Sequence, residues 1–400
     1  MNTIATVILR PGEADRVVAG HPWIYQGNVL RLTQQPHDGD IVQVKDHRAR
    51  FLGMGFFNSR SRIVVRVLSP ERLQVNQAFF EERFRAALEL RRRLLPEATS
   101  FRVVNAEGDQ LSGLVVDKYE DVLVVQTPGL GMDRRKEIIV AALQSVFHPR
   151  AILERNDTAF RKFEGLPDAN GTLAGNHSGP LKIEINHLKF QVDLAIGHKT
   201  GFYLDQQANY ERVARFAQGG QVLDCFCFQG GFGMHAARAG AAHVHLLDQS
   251  DEAMAAAKAN AEANAVSSRC SFETVNVFDW LKANTIQAPH EKLIPRFDLI
   301  VLDPPSFTRT RESLTNALRG YKEIHLRALK LLKPGGVLAT FCCSHHVDAV
   351  TFENVILAAA FDARKLLRRI ERYSQSLDHP VIPAIPETEY LKGYAYELVR

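Results

Sequence analysis

Residues 299 to 307 read Leu-Ile-Val-Leu-Asp-Pro-Pro-Ser-Phe, and residues 337 to 344 read Val-Leu-Ala-Thr-Phe-Cys-Cys-Ser. Each is a short apolar run that ends in reactive or turn-forming residues, which is typical of a buried parallel strand. In open α/β sheets the chemistry lies just beyond the carboxyl ends of the strands. If the two strands are neighbours, about 5 Å apart, Asp303 and a cysteine thiol face the same crevice.

A third segment indicates what else that crevice holds. Residues 221 to 233, Gln-Val-Leu-Asp-Cys-Phe-Cys-Phe-Gln-Gly-Gly-Phe-Gly, predict a strand that enters a glycine turn, with a helix from Met234 to about Gly240. The next apolar run ends at Asp248, where α/β nucleotide sites hold ribose hydroxyls. No third glycine follows Gly233 at the dinucleotide spacing, so a pyrophosphate site is not indicated. A nucleoside without phosphates fits better, and S-adenosylmethionine (SAM) is the common one; the alternative is any doubly wound sheet with a tight first turn.

Composition sets the broad class. A chain of 400 residues exceeds what one core usually supports, so two or three domains are expected. Hydrophobic residues make up 46% and charged residues 24%, as in ordinary soluble proteins. No apolar stretch approaches the roughly 18 residues of a membrane span, and the first residues lack the features of a signal peptide. Five cysteines, an odd number, favour reduced thiols and a cytoplasmic location.

Charge is distributed unevenly along the chain. Up to Leu95 there are 15 Lys and Arg residues against 9 Asp and Glu residues, whereas the remainder is slightly acidic. A basic amino-terminal part beside a near-neutral one suits a nucleic-acid partner, because phosphate contacts supply affinity. The alternative is a solvated surface, to which arginines on the predicted helix from Gln77 to Leu95 would also belong.

Three regions follow from the pattern of strands and turns. Residues 1–72 carry short strand patterns broken by turns and predict a small, mostly β module. Residues 73–196 predict a second α/β region, in which the Gly- and Asn-rich stretch from Asp168 to Pro180 reads as a surface loop. Residues 197–400 alternate strands with helices, which indicates a parallel sheet covered on both faces. The chain ends in a predicted strand around Tyr394 that runs antiparallel at the sheet edge.

The motifs together resemble the bacterial 23S ribosomal RNA cytosine-C5 methyltransferases of the large-subunit methyltransferase I type. The resemblance covers nearly the whole chain. It rests on the order and spacing of these segments: His21-Pro-Trp-Ile-Tyr, Gly39-Asp, Thr200-Gly-Phe-Tyr-Leu-Asp-Gln, Asp224-Cys-Phe-Cys-Phe-Gln-Gly-Gly-Phe, Asp303-Pro-Pro-Ser-Phe, Phe341-Cys-Cys-Ser, Asp378-His-Pro-Val-Ile and Tyr390-Leu-Lys-Gly-Tyr. It implies a PUA-like RNA-binding domain over residues 1–72, a central α/β domain over 73–196 and a class I (Rossmann-like) SAM-dependent methyltransferase domain over 197–400.

The resemblance also implies a reaction and its nucleophile. Cytosine C5 becomes nucleophilic when a thiolate adds to C6, so a cysteine is needed at the substrate end of the pocket. The family places it directly before the serine of its Phe-x-Cys-Ser motif, which is Cys343 here. Because side chains alternate along a strand, only one of Cys342 and Cys343 should face the base, and Cys342 then reads as a small buried residue. Asp303 is expected to bind the Watson–Crick edge of the flipped cytosine.

The remaining site residues follow from the same resemblance. Phe226 and the turn of Gly230, Gly231 and Gly233 are expected to line the methionine part of SAM, with Asp248 on the ribose. Asn276 stands where relatives often have an aspartate near the adenine, and Asp279 follows three residues later; Asp303 also borders the cofactor. RNA-contacting residues are expected at Lys199, Tyr203, Pro304 and Phe307, although Tyr203 could equally be a core residue. The run of arginines on the predicted helix, and not the resemblance, adds Arg91 and Arg92 as candidate phosphate contacts.

Several alternatives stay open at this point. A different target atom, guanine N7 or an exocyclic amine, is disfavoured by the motif cysteine and by Ser306, since amine-methylating relatives carry an aromatic residue there. A non-catalytic RNA-binding ribosome assembly factor is the alternative from another class. Cys225-x-Cys227, His243-x-His245 and His345-His346 lack further ligands at metal spacing, so no metal is expected. Ribosomal RNA is the expected partner, and a homodimer is carried as a hypothesis.

Overall fold

The computed structural model describes residues 4–157, 159–194, 200–286, 293–308 and 313–400. It divides into two compact units that interleave along the sequence. The first unit comprises Met1–Ile183, Val192–Leu204 and Leu377–Thr388, and the second comprises Glu184–Gln191, Asp205–Ser376 and Glu389–Arg400.

The first unit begins with a six-stranded sheet. Its strands and one short helix are β1 (Thr6–Leu9), α1 (Asp15–Val18), β2 (Trp23–Tyr25), β3 (Val29–Leu32), β4 (Ile41–Lys45), β5 (Phe51–Phe57) and β6 (Ile63–Ser69). The strand order is β2-β6-β5-β4-β1-β3, and every pair is antiparallel except β1 with β4. The mostly β character predicted for this region is confirmed.

A second sheet in the same unit packs against helices. Its elements are α2 (Gln77–Leu94), β7 (Phe101–Asn105), β8 (Val115–Tyr119), β9 (Val122–Gln126), α3 (Leu130–Asp133), α4 (Lys136–Phe147), β10 (Ala151–Asn156), α5 (Ala159–Phe163) and β11 (Ala169–Gly175). Asn76 begins α2 by accepting a hydrogen bond from the Phe79 amide, 3.0 Å away. Buried Phe80, Phe84 and Leu88 recur every four residues, so one face of α2 packs into the core.

The stretch from Asp168 to Pro180 is not the loop that its composition predicts. Strand β11 lies in it and pairs antiparallel with β10, at the edge of the five-stranded sheet β11-β10-β9-β8-β7. Edge pairing uses backbone groups, and an exposed strand face does not require apolar side chains. A Gly- and Asn-rich sequence can therefore occupy this position. A two-stranded sheet of β12 (Leu181–Ile185) and β13 (Leu188–Val192) follows.

The second unit is an open α/β sheet of seven strands. Its elements are α6 (Gln207–Ala214), β14 (Gln221–Cys225), α7 (Gly231–Arg238), β15 (His243–Asp248), α8 (Asp251–Ala263), β16 (Cys270–Thr274), α9 (Val277–Ala283), β17 (Phe297–Leu302), α10 (Leu314–Leu331), β18 (Leu332–Cys342), α11 (Ala349–Asp362), β19 (Leu367–Tyr373) and β20 (Lys392–Leu398). The order is β16-β15-β14-β17-β18-β20-β19, and the first five strands are parallel. The alternating α/β pattern predicted for this region is confirmed.

The last strand departs from the expectation in its position. Strand β20 is antiparallel, as predicted, but it lies between β18 and β19 instead of at the edge. The edge strand is β19, whose sequence Leu-Arg-Arg-Ile-Glu-Arg-Tyr is rich in charged residues. Charged side chains protect an exposed edge from pairing with other chains. Strand β20, in which residues 393–396 are buried, is enclosed between β18 and β19.

Both faces of the central strands are covered. Leu223 and Cys225 of β14 belong to the core that α9, α10 and α11 share with the sheet. Val222 and Asp224 point to the opposite face by strand alternation and are also buried. The sheet order reverses direction around β14 and β17, which opens a crevice at the carboxyl ends of these two strands. Within the described residues, none of the helices is long and apolar enough to cross a membrane.

Candidate active site

Asp303 and Cys343 follow directly after two paired parallel strands. Asp303 comes after β17 and Cys343 after β18, and the register aligns Leu302 with Thr340. The sequence left open whether these two strands are neighbours, and the structure shows that they are. Both residues are partly exposed, whereas the strand residues before them are buried. A carboxylate and a thiol thus lie at the same end of the sheet, beside the crevice.

The two adjacent cysteines have different surroundings. The Cys342 side chain is fully buried in the core, where its thiol donates to the Tyr321 hydroxyl over 3.4 Å. Burial raises the pKa of the Cys342 thiol, and the Tyr321 hydroxyl and the Lys392 charge only partly offset this. Cys343 is partly exposed. A reactive thiol must ionise and meet its substrate, and these surroundings favour Cys343 over Cys342.

The turn after β14 has an unusual backbone. Gly230 adopts φ +85°, and the non-glycine residues Phe226 and Phe228 adopt φ +62° and φ +50°. Left-handed conformations of bulky residues are strained and cluster at ligand sites. Helix α7 begins at Gly231, three residues before the predicted start.

Gly231 and Gly233 are needed for packing inside the protein. A Cβ at Gly231 would lie 2.6 Å from the Tyr210 ring. A Cβ at Gly233 would lie 2.6 Å from Leu246 and 3.0 Å from the Asp224 carboxylate. Both glycines let the start of α7 approach its neighbours closely. These contacts explain the glycines by packing alone, and a contact of either glycine with the cofactor stays a prediction.

Three carboxylates meet at the carboxyl ends of adjacent strands. Asp224 in β14, Asp248 at the end of β15 and Asp303 after β17 lie close enough for the last two to raise the pKa of the first. The larger cause is burial, and together they raise the pKa of Asp224 to about 8. The Gly233 amide donates to one Asp224 oxygen over 2.8 Å, while the other oxygen is buried without a hydrogen-bond partner. Such a site is suited to a cationic ligand group.

The shifted pKa of Asp224 gives a pH-dependent stability that can be tested. Because the folded pKa lies above the ordinary 3.8, folding favours the neutral carboxyl. Its contribution is therefore complete below about pH 4 and is lost as the pH rises toward 8. We expect Asp224→Asn to stabilise the cofactor-free protein relative to wild type, increasingly so from pH 5 to pH 8. Urea unfolding at several pH values measures this, and a difference that does not change with pH would contradict it.

The predicted ribose and adenine residues lie at the next strand ends. Asp248 accepts hydrogen bonds from the amides of Phe228 (2.9 Å) and Ser250 (3.0 Å), which fixes the carboxylate and leaves further lone pairs for a ligand. Asn276 begins α9, and its side-chain oxygen accepts from the Phe278 amide over 2.9 Å. Asn276 and Asp279 are both exposed. The side-chain oxygen of Asn276 thus caps a helix, a role that the sequence reading did not include.

Aromatic rings pack around Phe307, in the segment that follows Asp303. The Phe307 ring lies 4.6 Å from the Tyr321 ring and 5.4 Å from the Phe278 ring, and Phe226 lies 6.4 Å from Phe307, centre to centre. Pro304 is buried, and the exposed Ser306 donates to the Thr308 carbonyl over 2.8 Å. Phe307 thus packs among protein rings and holds the segment after Asp303 in place.

The other expected RNA-contacting residues are spread over the chain. Lys199 lies outside the described residues. Tyr203, which belongs to the first unit, is half-buried, and the neighbouring Thr200 and Phe202 hydrogen-bond to the buried Tyr119 hydroxyl. Arg92 is exposed, as a phosphate contact requires.

The expectation for Arg91 is wrong. Its side chain is fully buried and forms an ion pair with Asp109. It also donates to the carbonyls of Arg102 (2.9 Å) and Asp378 (2.7 Å). A run of three arginines at the end of a helix suggests one exposed cluster, but helical periodicity turns the first of them toward the core. Arg91 is therefore a structural residue.

Removing Arg91 should destabilise the fold. Arg91→Ala leaves Asp109 buried without its partner, so we expect a loss of about 3–5 kcal/mol in the free energy of unfolding. The matched control is Arg92→Ala, an exposed change that we expect to stay within about 0.5 kcal/mol of wild type. Denaturant unfolding measures both. An Arg91→Ala protein as stable as wild type would show that the ion pair contributes little.

Sequence reasoning missed several residues of the site. Tyr321 and Lys392 both contact the strand end that carries Cys343, through the Cys342 thiol and through the Ser344 carbonyl. Asp224 was visible as part of a motif, but its burial was not. The segment Tyr390-Leu-Lys-Gly-Tyr contains the signal for Lys392, a lysine at the start of a mostly apolar strand. Its partner could not be identified without the register of β18 and β20.

Among the described residues, no group of three or more His, Cys, Asp or Glu side chains could hold a metal ion. The site does fit SAM. Its cationic sulfonium and ammonium groups suit the carboxylates of Asp248 and Asp303, and a cation beside Asp224, which has an unpartnered buried oxygen, would favour the ionised form of that side chain. Asp248 has acceptor capacity left for ribose hydroxyls.

Comparisons with known proteins agree with this geometry. Residues 7–70 match the model of a PUA-like domain, and residues 161–391 match that of S-adenosylmethionine-dependent methyltransferases, over more than half of the chain. Ribosomal RNA large subunit methyltransferase I of Shewanella amazonensis is 40% identical over 390 residues, covering 96% of this chain and 97% of its own. The protein of the same name from Vibrio vulnificus is 37% identical over 401 residues, covering 99% and 100%.

A solved structure shows the same fold. SMU.776, a candidate methyltransferase complexed with SAH, superposes with a TM-score of 0.84 at 21% identity, covering 98% of this chain and 100% of its own. The predicted architecture, a PUA-like amino-terminal domain joined to a Rossmann-like methyltransferase, is confirmed, and the cofactor is SAM. The chain belongs to the S-adenosylmethionine-dependent methyltransferase family, among relatives that include ribosomal RNA large subunit methyltransferase I of S. amazonensis and V. vulnificus.

Proposed function

We propose that this protein methylates carbon 5 of a cytidine in large-subunit ribosomal RNA, with Cys343 as the nucleophile. The observation that carries the proposal is the pairing of β17 with β18, which brings Asp303 and the partly exposed Cys343 to the same end of the sheet. The names of the relatives support ribosomal RNA as the substrate. The PUA-like domain and the basic amino-terminal part support RNA binding.

The reaction requires a nucleophile because cytosine C5 is unreactive by itself. The Cys343 thiolate adds to C6, which forms a C–S bond and makes C5 enamine-like. Bound SAM would supply an electrophilic methyl group: C5 would form the new C–C bond while the bond between the sulfonium and the methyl group breaks, which leaves S-adenosylhomocysteine. A base then takes the C5 proton, the double bond between C5 and C6 is restored, and the C–S bond breaks so that the Cys343 thiolate leaves. The Cys343 sulfur is regenerated, so the chain is unchanged after one turnover.

Asp303 is proposed to position the base. A cytosine must leave its stack to reach the crevice, and the pocket then reads its Watson–Crick edge. A carboxyl group at the end of β17 can accept a hydrogen bond from the exocyclic amine and, when it is protonated, donate one to N3. The packing of Phe307 against Tyr321 and Phe278 keeps the segment that follows Asp303 in one conformation. Donors and acceptors that are held in place before the reaction stabilise its transition state best.

Three further points remain part of the proposal. The domain boundaries at residues 72 and 196 are inferred from sequence. The protein is proposed to act in the cytoplasm, where its RNA substrate is found. The protein is also proposed to form a homodimer, which sedimentation of the purified protein would test.

The product nucleoside tests the proposed function. Purified protein and labelled SAM would be incubated with ribosomal RNA from cells that lack this gene, and the modified nucleosides identified by mass spectrometry. We expect 5-methylcytidine in the large-subunit RNA only. Formation of 7-methylguanosine or N4-methylcytidine would contradict the proposal and favour another target atom. Binding of RNA and SAM without any transfer would favour an assembly factor.

A further inference from the structure

Lys392 brackets Cys343 from the neighbouring strand. It is the first residue of β20 and lies directly opposite Cys342 in the antiparallel register with β18. Its ammonium donates to the Ser344 carbonyl over 2.6 Å. The residues before and after Cys343 are therefore both fixed to Lys392, one by strand pairing and the other by this hydrogen bond.

The surroundings of Lys392 are crowded with groups that can carry negative charge. Burial lowers the pKa of Lys392, while Cys342, Cys343, Asp348 and Glu389 act in the opposite direction. Asp348 is engaged in capping α11 through the Thr351 amide, 2.7 Å away, and Glu389 is exposed to solvent. From α10, Tyr321 reaches the same strand end at Cys342.

Ionisation of Cys342 is opposed by its burial in the core. Cys343 is partly exposed, so water can support its ionised form. Electrostatic interaction is reciprocal: a thiolate that stabilises an ammonium is stabilised by that ammonium to the same extent. Lys392 pairs with Cys342 and donates to the Ser344 carbonyl, and Cys343 lies between these two residues. The Cys343 thiolate is therefore well placed to be stabilised by the Lys392 ammonium.

We propose that Lys392 is a positioning residue that acts as the counter-ion of the Cys343 thiolate and fixes the turn carrying it. The inference rests on the proposed function, in which Cys343 is the nucleophile. Lys392 forms no bond to the substrate in this role. It increases the fraction of Cys343 that is ionised near neutral pH, and the hydrogen bond to Ser344 limits the directions in which the thiol can point.

The pH profile of thiol alkylation tests this role without RNA. The intact protein would be treated with iodoacetamide from pH 5.5 to 10, and the rate at Cys343 followed by peptide mass spectrometry. Three variants are compared with wild type: Lys392→Met, Lys392→Arg and Lys333→Met. Lys333 is a matched control because it pairs with Asp298 at the opposite end of β18, 2.8 Å away. Thermal unfolding verifies that each variant is folded.

We expect Lys392→Met to shift the midpoint of the Cys343 profile upward by about one pH unit, a tenfold loss of thiolate near neutral pH. Lys392→Arg keeps the charge, so its midpoint should stay close to that of wild type. Lys333→Met should leave the profile unchanged. An unchanged midpoint in a folded Lys392→Met protein overturns the inference, as does an equal shift in Lys392→Arg.

Failure of the inference can be distinguished from failure of the proposed function. The alkylation midpoint is measured without methyl transfer, whereas the proposed function is judged by the product nucleoside. A shifted midpoint together with a product other than 5-methylcytidine would leave the ion pair in place and reject the function. An unchanged midpoint together with 5-methylcytidine would reject the ion pair and leave the proposed function in place.

Discussion

Cys343→Ala is expected to lower methyl transfer to ribosomal RNA by about 10⁴-fold or more, as loss of the nucleophile does in other enzymes that form covalent intermediates. Without the thiolate, C6 receives no addition and C5 stays a poor nucleophile. Binding of SAM and RNA should change little, because the carboxylates at the ends of β14, β15 and β17 and the PUA-like domain are untouched. Single-turnover rates with labelled SAM, together with separate binding measurements, give both quantities.

The matched control for Cys343→Ala is the neighbouring cysteine. Cys342→Ala removes a buried sulfur that contacts Tyr321, so we expect a stability loss of about 1 kcal/mol and nearly full activity. The two substitutions delete the same atom at adjacent positions, which separates chemistry from packing. A fully active Cys343→Ala protein would show that Cys343 is not the nucleophile. An inactive but folded Cys342→Ala protein would indicate that Cys342 takes part in the reaction.

Asp303→Asn should lower the rate of methyl transfer by about 10²–10³-fold, the usual effect of removing one preorganised polar group from a transition state. The amide keeps the shape of the side chain and can still donate to N3 and accept from the exocyclic amine, but it has neither the negative charge nor a proton that can move to N3 as the thiolate adds to C6. We expect the loss in kcat, with a modest change in SAM affinity, because Asp303 is one of three carboxylates at the crevice.

Asp298→Asn provides the comparison for Asp303→Asn. Asp298 lies at the other end of β17, where it pairs with Lys333 over 2.8 Å near solvent. Its substitution tests for a general effect of losing a carboxylate from this strand, and we expect activity within about twofold of wild type, since exposed ion pairs contribute little. If Asp303→Asn weakens only SAM binding and leaves kcat intact, Asp303 serves the cofactor and not the base.

The sequence alone was sufficient to predict the two strands that end at the site, but not the position of β20 in the sheet. Two apolar runs with polar ends, residues 299 to 302 and 337 to 342, are typical of buried parallel strands, and their ends meet if the two strands are neighbours. Parallel pairing of β17 and β18 confirms this. These predictions succeeded because hydrophobic runs and strand ends are local features of a chain.

Features that depend on the tertiary partner were out of reach. Arg91 looked like a surface charge, but an ion pair with Asp109 holds it in the core. Strand β11 has a loop-like composition and exists because β10 offers it an edge. Lys392 contacts the turn of Cys343 through the Ser344 carbonyl, which is 48 residues away in the sequence. This contact depends on the register between β18 and β20. Composition and periodicity do not encode such pairings.

The most direct test of the covalent mechanism uses RNA that contains 5-fluorocytidine. Fluorine at C5 cannot be removed as a proton is, so the adduct with the enzyme should persist after methyl transfer. We predict a stable protein–RNA complex with wild type and SAM, with the nucleotide mapped to Cys343 by peptide mass spectrometry, and no complex with Cys343→Ala. Attachment at Cys342, or efficient 5-methylcytidine formation on normal RNA without any trapped adduct, would contradict the account.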